Sequence, residues 1–236
     1  MKKLLAIAIT AATPMMAQAD LLFTVDAGAS MWNAEATGTT EAKSTGSFDL
    51  EDDLGLDSGS NNVLFVSFEH PIPVLPNVKI MKTDLDLSGD NSSQIDLSHT
   101  DLTMYWGLPL PIPYIDINFG LTARQFDGGI VYNTAGVSVI DEKLDFIMPM
   151  GHLNVDVGTP FGIYARANLN ALSFDGNGVT DTEIAVGYTL PIPLVDVNLE
   201  AGHRAIGLTT DKDTVDVETD IDVSGLFFGL NVSVGL

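Results

Sequence analysis

The strongest constraint on this chain is a two-residue period, carried most plainly by its last twelve residues, GLFFGLNVSVGL. Leu226, Phe228, Leu230, Val232, Val234 and Leu236 occupy one parity; Phe227, Gly229, Asn231, Ser233 and Gly235 alternate with them and are mostly small or polar. Side chains two apart on a strand share a face, so this segment reads as a strand with one face against an apolar medium. Near the beginning, Leu21, Phe23, Val25, Ala27, Ala29 and Met31 repeat the pattern opposite Leu22, Thr24, Asp26, Gly28 and Ser30. The two ends read as partners in one sheet.

Three stretches open on a proline-clamped turn: PIPVLPNVKI at 71–80, PIPYIDINFG at 111–120 and PIPLVDVNLE at 191–200. After Pro113, Ile115, Ile117, Phe119, Leu121 and Ala123 share a face opposite Asp116, Asn118, Gly120, Thr122 and Arg124. After Pro193, Val195, Val197, Leu199 and Ala201 oppose Asp196, Asn198, Glu200 and Gly202. Alternating runs also precede the turns, through Leu102, Met104 and Trp106 before the first and Ile184, Val186 and Tyr188 before the second. Each proline cluster therefore joins two strands in a hairpin. Proline fixes φ and lacks the N–H a ladder needs, so it stops pairing at the corner.

The pattern predicts ten strands, at about 20–32, 62–70, 77–88, 93–108, 114–126, 143–157, 162–174, 180–190, 194–207 and 224–236. Short proline-containing turns at 71–76, 109–113, 158–161 and 191–193 alternate with longer polar connections at 33–61, 89–92, 127–142, 175–179 and 208–223. The apolar parity switches between Ile80 and Met81, near Pro149 and Met150, and at Ser224-Gly225, so bulges or bends are expected there. Segment 130–140 reads as an extra hairpin rising above the membrane, and 215–223 as an outward extension of the last strand.

No later segment is apolar over the ~20 residues a spanning helix requires. The first nineteen residues, MKKLLAIAITAATPMMAQA, have two lysines, an apolar stretch from Leu4 to about Ala12, and Ala17-Gln18-Ala19 at a cleavage position. They read as a signal peptide over 1–19, cut between Ala19 and Asp20, with one domain over 20–236. The formal charge is −22, and loss of Lys2 and Lys3 makes it more negative, which excludes non-specific binding to nucleic acid phosphates. The chain has no cysteine, so disulfides, thiolate metal sites and cysteine nucleophiles are excluded together.

A soluble sandwich or lipocalin-like barrel also alternates; what separates it from a membrane barrel is which face is polar. Here one parity is free of charge over most strands, while the other collects Asp26, Glu69, Asp101, Asp116, Arg124, Arg166, Asp196, Glu200 and Arg204. Trp32, Trp106, Tyr114, Tyr164 and Tyr188 fall toward strand ends as interfacial girdles do, although Tyr164 has lumen parity. An antiparallel up-and-down transmembrane β-barrel follows, with tight periplasmic turns, longer outside loops and both termini in the periplasm. The signal peptide, FDLEDDLGL at 48–56, FEHPIPVLPNVKI at 68–80 and the alternating last strand together resemble a family of Gram-negative outer-membrane β-barrel proteins. The resemblance implies that location and fold and carries no activity. The last strand is similar to the signal read by the barrel-assembly machinery, with Leu236 where phenylalanine is usual.

The lumen parity suggests a charge cluster of Asp116, Arg124, Arg166, Asp196, Glu200 and Arg204. Such a cluster can act as a selectivity filter or as a salt-bridged plug; the plug is the simpler expectation, because narrow barrels are filled by their own side chains. His99, Asp101 and His203 could meet in an omptin-like carboxylate and histidine site, on fold analogy alone, and no motif sets Ser30 or Ser98 beside a base. Acids crowd the expected outside loops, including Asp49, Glu51, Asp52, Asp53, Asp57, Asp84, Asp86, Asp90, Asp211, Asp213, Asp216, Glu218, Asp220 and Asp222. Oxygen ligands of this kind suit Ca²⁺ or Mg²⁺, although no EF-hand spacing is present. In the first of these loops Phe48, Leu50, Leu54 and Leu56 punctuate the acids, as a segment folded on the barrel mouth would require. The reading is a monomeric outer-membrane barrel with no cofactor and no enzymatic activity, in a structural or surface role or as a narrow pore. Its partners are membrane lipid and lipopolysaccharide, divalent cations at the acidic loops, and the assembly machinery. The alternative is a lipid or peptide hydrolase working at the extracellular rim.

Overall fold

The computed structural model describes residues 23–42, 46–50, 55–56, 59–90, 93–134, 137–210 and 217–235. The expected signal peptide and its cleavage site at Ala19 and Asp20 lie outside the described residues. The strands are β1 (Thr24–Ala42), β2 (Gly46–Asp49), β3 (Gly59–Glu69), β4 (Asn77–Asp84), β5 (Asp86–Ser88), β6 (Gln94–Asp96), β7 (His99–Gly107) and β8 (Ile115–Phe126). They continue with β9 (Gly128–Thr134), β10 (Val137–Leu144), β11 (Ile147–Gly158), β12 (Ile163–Phe174), β13 (Asn177–Leu190), β14 (Asp196–Thr210) and β15 (Val217–Gly235).

Ten of these strands form one antiparallel wall in the order β1-β3-β4-β7-β8-β11-β12-β13-β14-β15, and β15 pairs back onto β1. Closure removes the free edges, which is the condition for a sheet to lie in lipid. The closing seam pairs all 19 residues of β1, from Thr24↔Gly235 to Ala42↔Val217. The start of β1, the end of β15 and the four proline-containing turns lie at one end of this wall; at the other, strands run on above it. There β2 pairs with the top of β1, and β10-β9-β6-β5 form a second, four-stranded sheet. The hairpin expected over 130–140 is β9 and β10, and the expected extension over 215–223 is the first part of β15.

The outward parity exposes Met31, Leu64, Ile80, Leu102, Leu121, Leu153, Ile184, Leu199, Leu226 and Phe228. The inward parity buries Ser67, Asp101, Thr103, Thr122, Arg124, Asn154, Asn170, Asp181, Glu200, Arg204 and Asn231. A soluble barrel has the reverse arrangement, so the two faces identify lipid as the outer medium.

Three expected bulges are absent. β4 pairs without a slip to β3 and β7, β11 likewise to β8, and β15 to both β14 and β1. The apolar parity changes because the medium inside changes: Met81, Leu85, Leu87, Met150, Val223 and Phe227 point inward, where the end of the lumen away from the proline turns is dry. Among the described residues, the one register shift lies between Ser138 and Ile140 in the β9–β10 hairpin. Pro149 points outward just past Gly151, where the β11–β12 pairing has ended, so its missing N–H costs no bond on that side. The expected polar connection over 175–179 is instead a tight turn. Asp175 and Gly176 both adopt left-handed φ, +49° and +80°, the combination that matches the twist of a two-residue hairpin.

Candidate functional site: a lumen filled in two layers

The lumen is closed first by an apolar plug at the end away from the proline turns. Trp32, Ala34, Ala36, Leu50, Val63, Leu85, Leu87, Ile95, Ile206, Val223 and Phe227 form a buried cluster there, with Met81, Leu56, Leu97 and Ile221 packed against it. Each large member contributes about 1.5–3 kcal/mol by leaving water. Leu50 and Leu56 bring the first long connection onto the mouth, as the sequence suggested; the Phe48 side chain and Leu54 lie outside the described residues. Trp32, expected in an interfacial girdle, is wholly buried inside the barrel. It shares the lumen parity of Asp26 and Ser30, and the dry mouth accommodates its ring.

Beneath the plug lies a cluster of two arginines and two aspartates. Arg124 holds Asp101 with two bonds, Nε to Oδ1 at 2.8 Å and Nη2 to Oδ2 at 2.7 Å, and reaches Asp181 at 2.5 Å. Arg204 takes the other side of Asp181, with Nε to Oδ1 at 3.0 Å and Nη2 to Oδ2 at 2.7 Å, and donates to Thr83 at 3.1 Å. All four charged side chains are buried, so each charge needs the others. The Trp32 ring covers the Arg204 guanidinium at 4.9 Å, which joins plug to cluster by a cation–π contact. His99 Nδ1 donates to the Leu97 carbonyl at 2.7 Å, leaving Nε2 to face Arg204 Nη2 at 3.5 Å.

Farther toward the proline turns, two directional ladders converge. Asn118 donates to Asn154 at 2.9 Å, Asn154 to Asn168 at 2.8 Å, and Asn168 to Glu183 at 3.1 Å. From the other side Thr189 donates to Asn198 at 2.7 Å, Asn198 to Asn231 at 2.6 Å, and Asn231 to Glu200 at 2.6 Å. Each ladder ends on a carboxylate, the one side chain here that can only accept. Arg166 pairs with both carboxylates, Glu183 at 3.5 Å and Glu200 more closely, and Tyr164 donates to Glu200 at 2.6 Å. Tyr164 thus faces inward, as its parity required. Between cluster and ladders, Thr103 and Thr122 lie 2.8 Å apart, Thr122 donates to Asn170 at 2.8 Å, and His152 Nδ1 meets the same Asn170 oxygen at 2.9 Å.

Of the six lumen charges selected from sequence, Arg124 and Arg204 share Asp181, and Arg166 and Glu200 pair with one another. Asp116 and Asp196 belong to neither group; they lie exposed at the rim beside the proline turns. His203 does not approach His99 and Asp101: it sits on the outward face among the lipid-facing residues, because its parity is that of Leu199 and Ala201. Residues missing from the selection are Asp101, Asp181, Glu183, Thr83 and the asparagines. Part of the missing set was signalled by register, since Asp101 pairs with Arg124, Glu183 with Arg204, and Asn154 lies between Asn118 and Asn168. Asp181 carried no such signal toward Arg124, which it reaches only across the lumen.

An internal cavity of about 20 Å³ remains, bounded by Lys79, Met81, Thr103, His152, Asn170 and Arg204 among others. It has room for about one water. His99, Asp101 and Asp181 bring potential ligand atoms within 4.8 Å of one another. The guanidiniums of Arg124 and Arg204 already bond both carboxylates of this group, as an ion-pair cluster requires. Trp32 Nε1, Arg124 Nη1 and Arg166 Nε are buried without a protein acceptor.

A closed ten-stranded antiparallel wall, apolar outside and polar within, defines an outer-membrane-type β-barrel. The chain is similar in structure to the outer membrane protease OmpT from Escherichia coli, with a TM-score of 0.50 and 10% identity over 90% of this chain and 97% of that one. It also aligns with the beta domain of the Bordetella autotransporter BrkA (TM-score 0.47, 8% identity, 91% and 100% covered) and Neisserial surface protein A (TM-score 0.36, 12% identity, 91% and 97% covered). At 10% identity the OmpT likeness shows a shared fold and nothing finer. No protein-family model matches the sequence, and no curated protein matches it.

Proposed function

We propose that the protein is a monomeric, non-conducting and non-enzymatic outer-membrane barrel with a structural or surface role. The observation that carries this reading is the filled lumen: an apolar mouth above a buried ion cluster, with a cavity of only about 20 Å³ beside Arg204 and Asp181. A solute path would have to dismantle the Arg124–Asp181–Arg204 cluster and the plug together. Catalysis has equally little footing, since His99 uses both ring nitrogens inside the barrel and His203 faces outward. With the leader removed after Ala19, the assembly machinery would insert the chain with its proline turns on the periplasmic side. The strand extensions and their acids then face outward, toward the cations that accompany lipopolysaccharide. Planar-bilayer recording of the refolded barrel tests the proposal: no current steps above the lipid background are expected, and discrete steps would overturn it.

A further inference from the structure

The turns at the end where β1 starts and β15 stops are unusual for chain that faces water. Val74 is 83% exposed, Phe161 78% and Leu194 76%, and Ile72, Ile112 and Ile192 are exposed beside them. Their apolar surface continues that of the strand belt. Ile80, Leu102 and Leu121 of the belt lead through Leu108 and Leu110 into the turns.

The backbone of these turns is arranged to do without water. Pro71, Pro73, Pro76, Pro109, Pro111, Pro113, Pro191 and Pro193 have no N–H to satisfy. In the first turn the His70 N–H is taken by the Asn77 side chain at 3.0 Å, Ile72 N–H by His70 Nδ1 at 3.2 Å and Leu75 N–H by the Ile72 carbonyl at 3.3 Å. In the other two PIP turns Leu110 N–H closes onto the Leu108 carbonyl, and Ile192 N–H onto Leu190, each at 2.8 Å. Unpaired donors are what makes irregular backbone costly in an apolar setting, and the prolines together with these bonds lower their number.

Two further observations point the same way. Tyr114 and Leu194 occupy the same place in the PIPY and PIPL repeats and both hold left-handed φ, +67° and +73°, a region bulky residues avoid. Glycine would relieve that strain but would remove an exposed tyrosine and leucine. Trp106 is the second observation: its indole donates to the Val74 carbonyl at 3.3 Å and its ring stacks near Phe119. Tryptophan and tyrosine concentrate at headgroup level, so the turn tied to Trp106 lies at or near that level.

We propose that the proline turns are a lipid-binding collar, seated in the headgroup and upper acyl region of the leaflet at that end instead of in the water beyond it. This rests on the membrane embedding of the barrel, and the experiment separates the two. The chain has no cysteine, so a single one can carry an environment-sensitive fluorophore cleanly. Val74→Cys and Leu194→Cys report the collar, Leu153→Cys the belt, and Glu35→Cys the water-exposed extension. Each is labelled, refolded into vesicles, and quenched with aqueous iodide or with lipids brominated near the headgroup end of the chain. The collar positions should show blue-shifted emission, quenching by the shallow bromines and loss of iodide quenching relative to Glu35→Cys. Iodide quenching equal to that at Glu35→Cys, with Leu153→Cys still shielded, would overturn the collar and leave the embedded barrel standing. Shielding from both quenchers would assign the surface to protein contact and equally overturn it. If Leu153→Cys is itself open to iodide, the embedding fails and the collar fails with it.

Discussion

The two layers of the lumen fill the same kind of space by opposite means. At the mouth, Leu85, Leu87, Ile95, Val223 and Phe227 are held by burial and close contact, which depend on volume and are indifferent to direction. Beneath it, Arg124, Asp101, Asp181 and Arg204 are held by bonds whose direction and count are fixed, in a place where a missing partner leaves a bare charge. The contrast teaches that stability and closure are carried together in this barrel. The mouth tolerates change of shape, the cluster does not tolerate change of partner.

Breaking the cluster should cost most. Asp181→Ala leaves two buried guanidiniums facing each other, and a loss near the upper end of about 3–5 kcal/mol is expected from urea titration of the barrel in lipid vesicles. Opening the mouth comes next. Leu87→Ala should lose about 3 kcal/mol through a cavity, while current recordings stay silent because the cluster below remains shut. In the ladders, Asn154→Leu removes both an acceptor for Asn118 and a donor to Asn168, and a loss of about 2 kcal/mol is expected in the same titration. The smallest effect sharpens the comparison: Leu87→Met keeps volume in a place governed by volume and should cost under about 1.5 kcal/mol. A loss as large as that of Leu87→Ala would mean that the mouth, too, depends on specific shape.

The wall was legible in the sequence because one parity stays apolar from strand to strand, and the PIP turns mark where consecutive strands reverse. That pairing rule was enough to place Arg124, Arg166, Glu200 and Arg204 inside. The plug was not legible as a plug. Alternation reports which face is apolar, and where Met81, Met150 and Val223 changed parity the simplest expectation was a bulge; the cause was a lumen dry at one end and polar at the other. Asp116 and Asp196 share the lumen parity, but parity carries no height, and both lie at the rim. Asp181 escaped for a different reason. Its contact with Arg124 joins β13 to β8, three positions around the wall, and only closure into a ring brings them together.

The seam between the first and last strands has a consequence for assembly. Trp32, Ala34 and Ala36 enter the plug from β1, Val223 and Phe227 from β15, and these strands meet only when the chain's two ends do. Packing of the apolar mouth and completion of the cylinder are therefore linked at this seam. A chain still lacking β15 would carry Trp32, Ala34 and Ala36 on β1 without the Val223 and Phe227 that join them in the cluster, so the mouth gains its last members only as the ring closes.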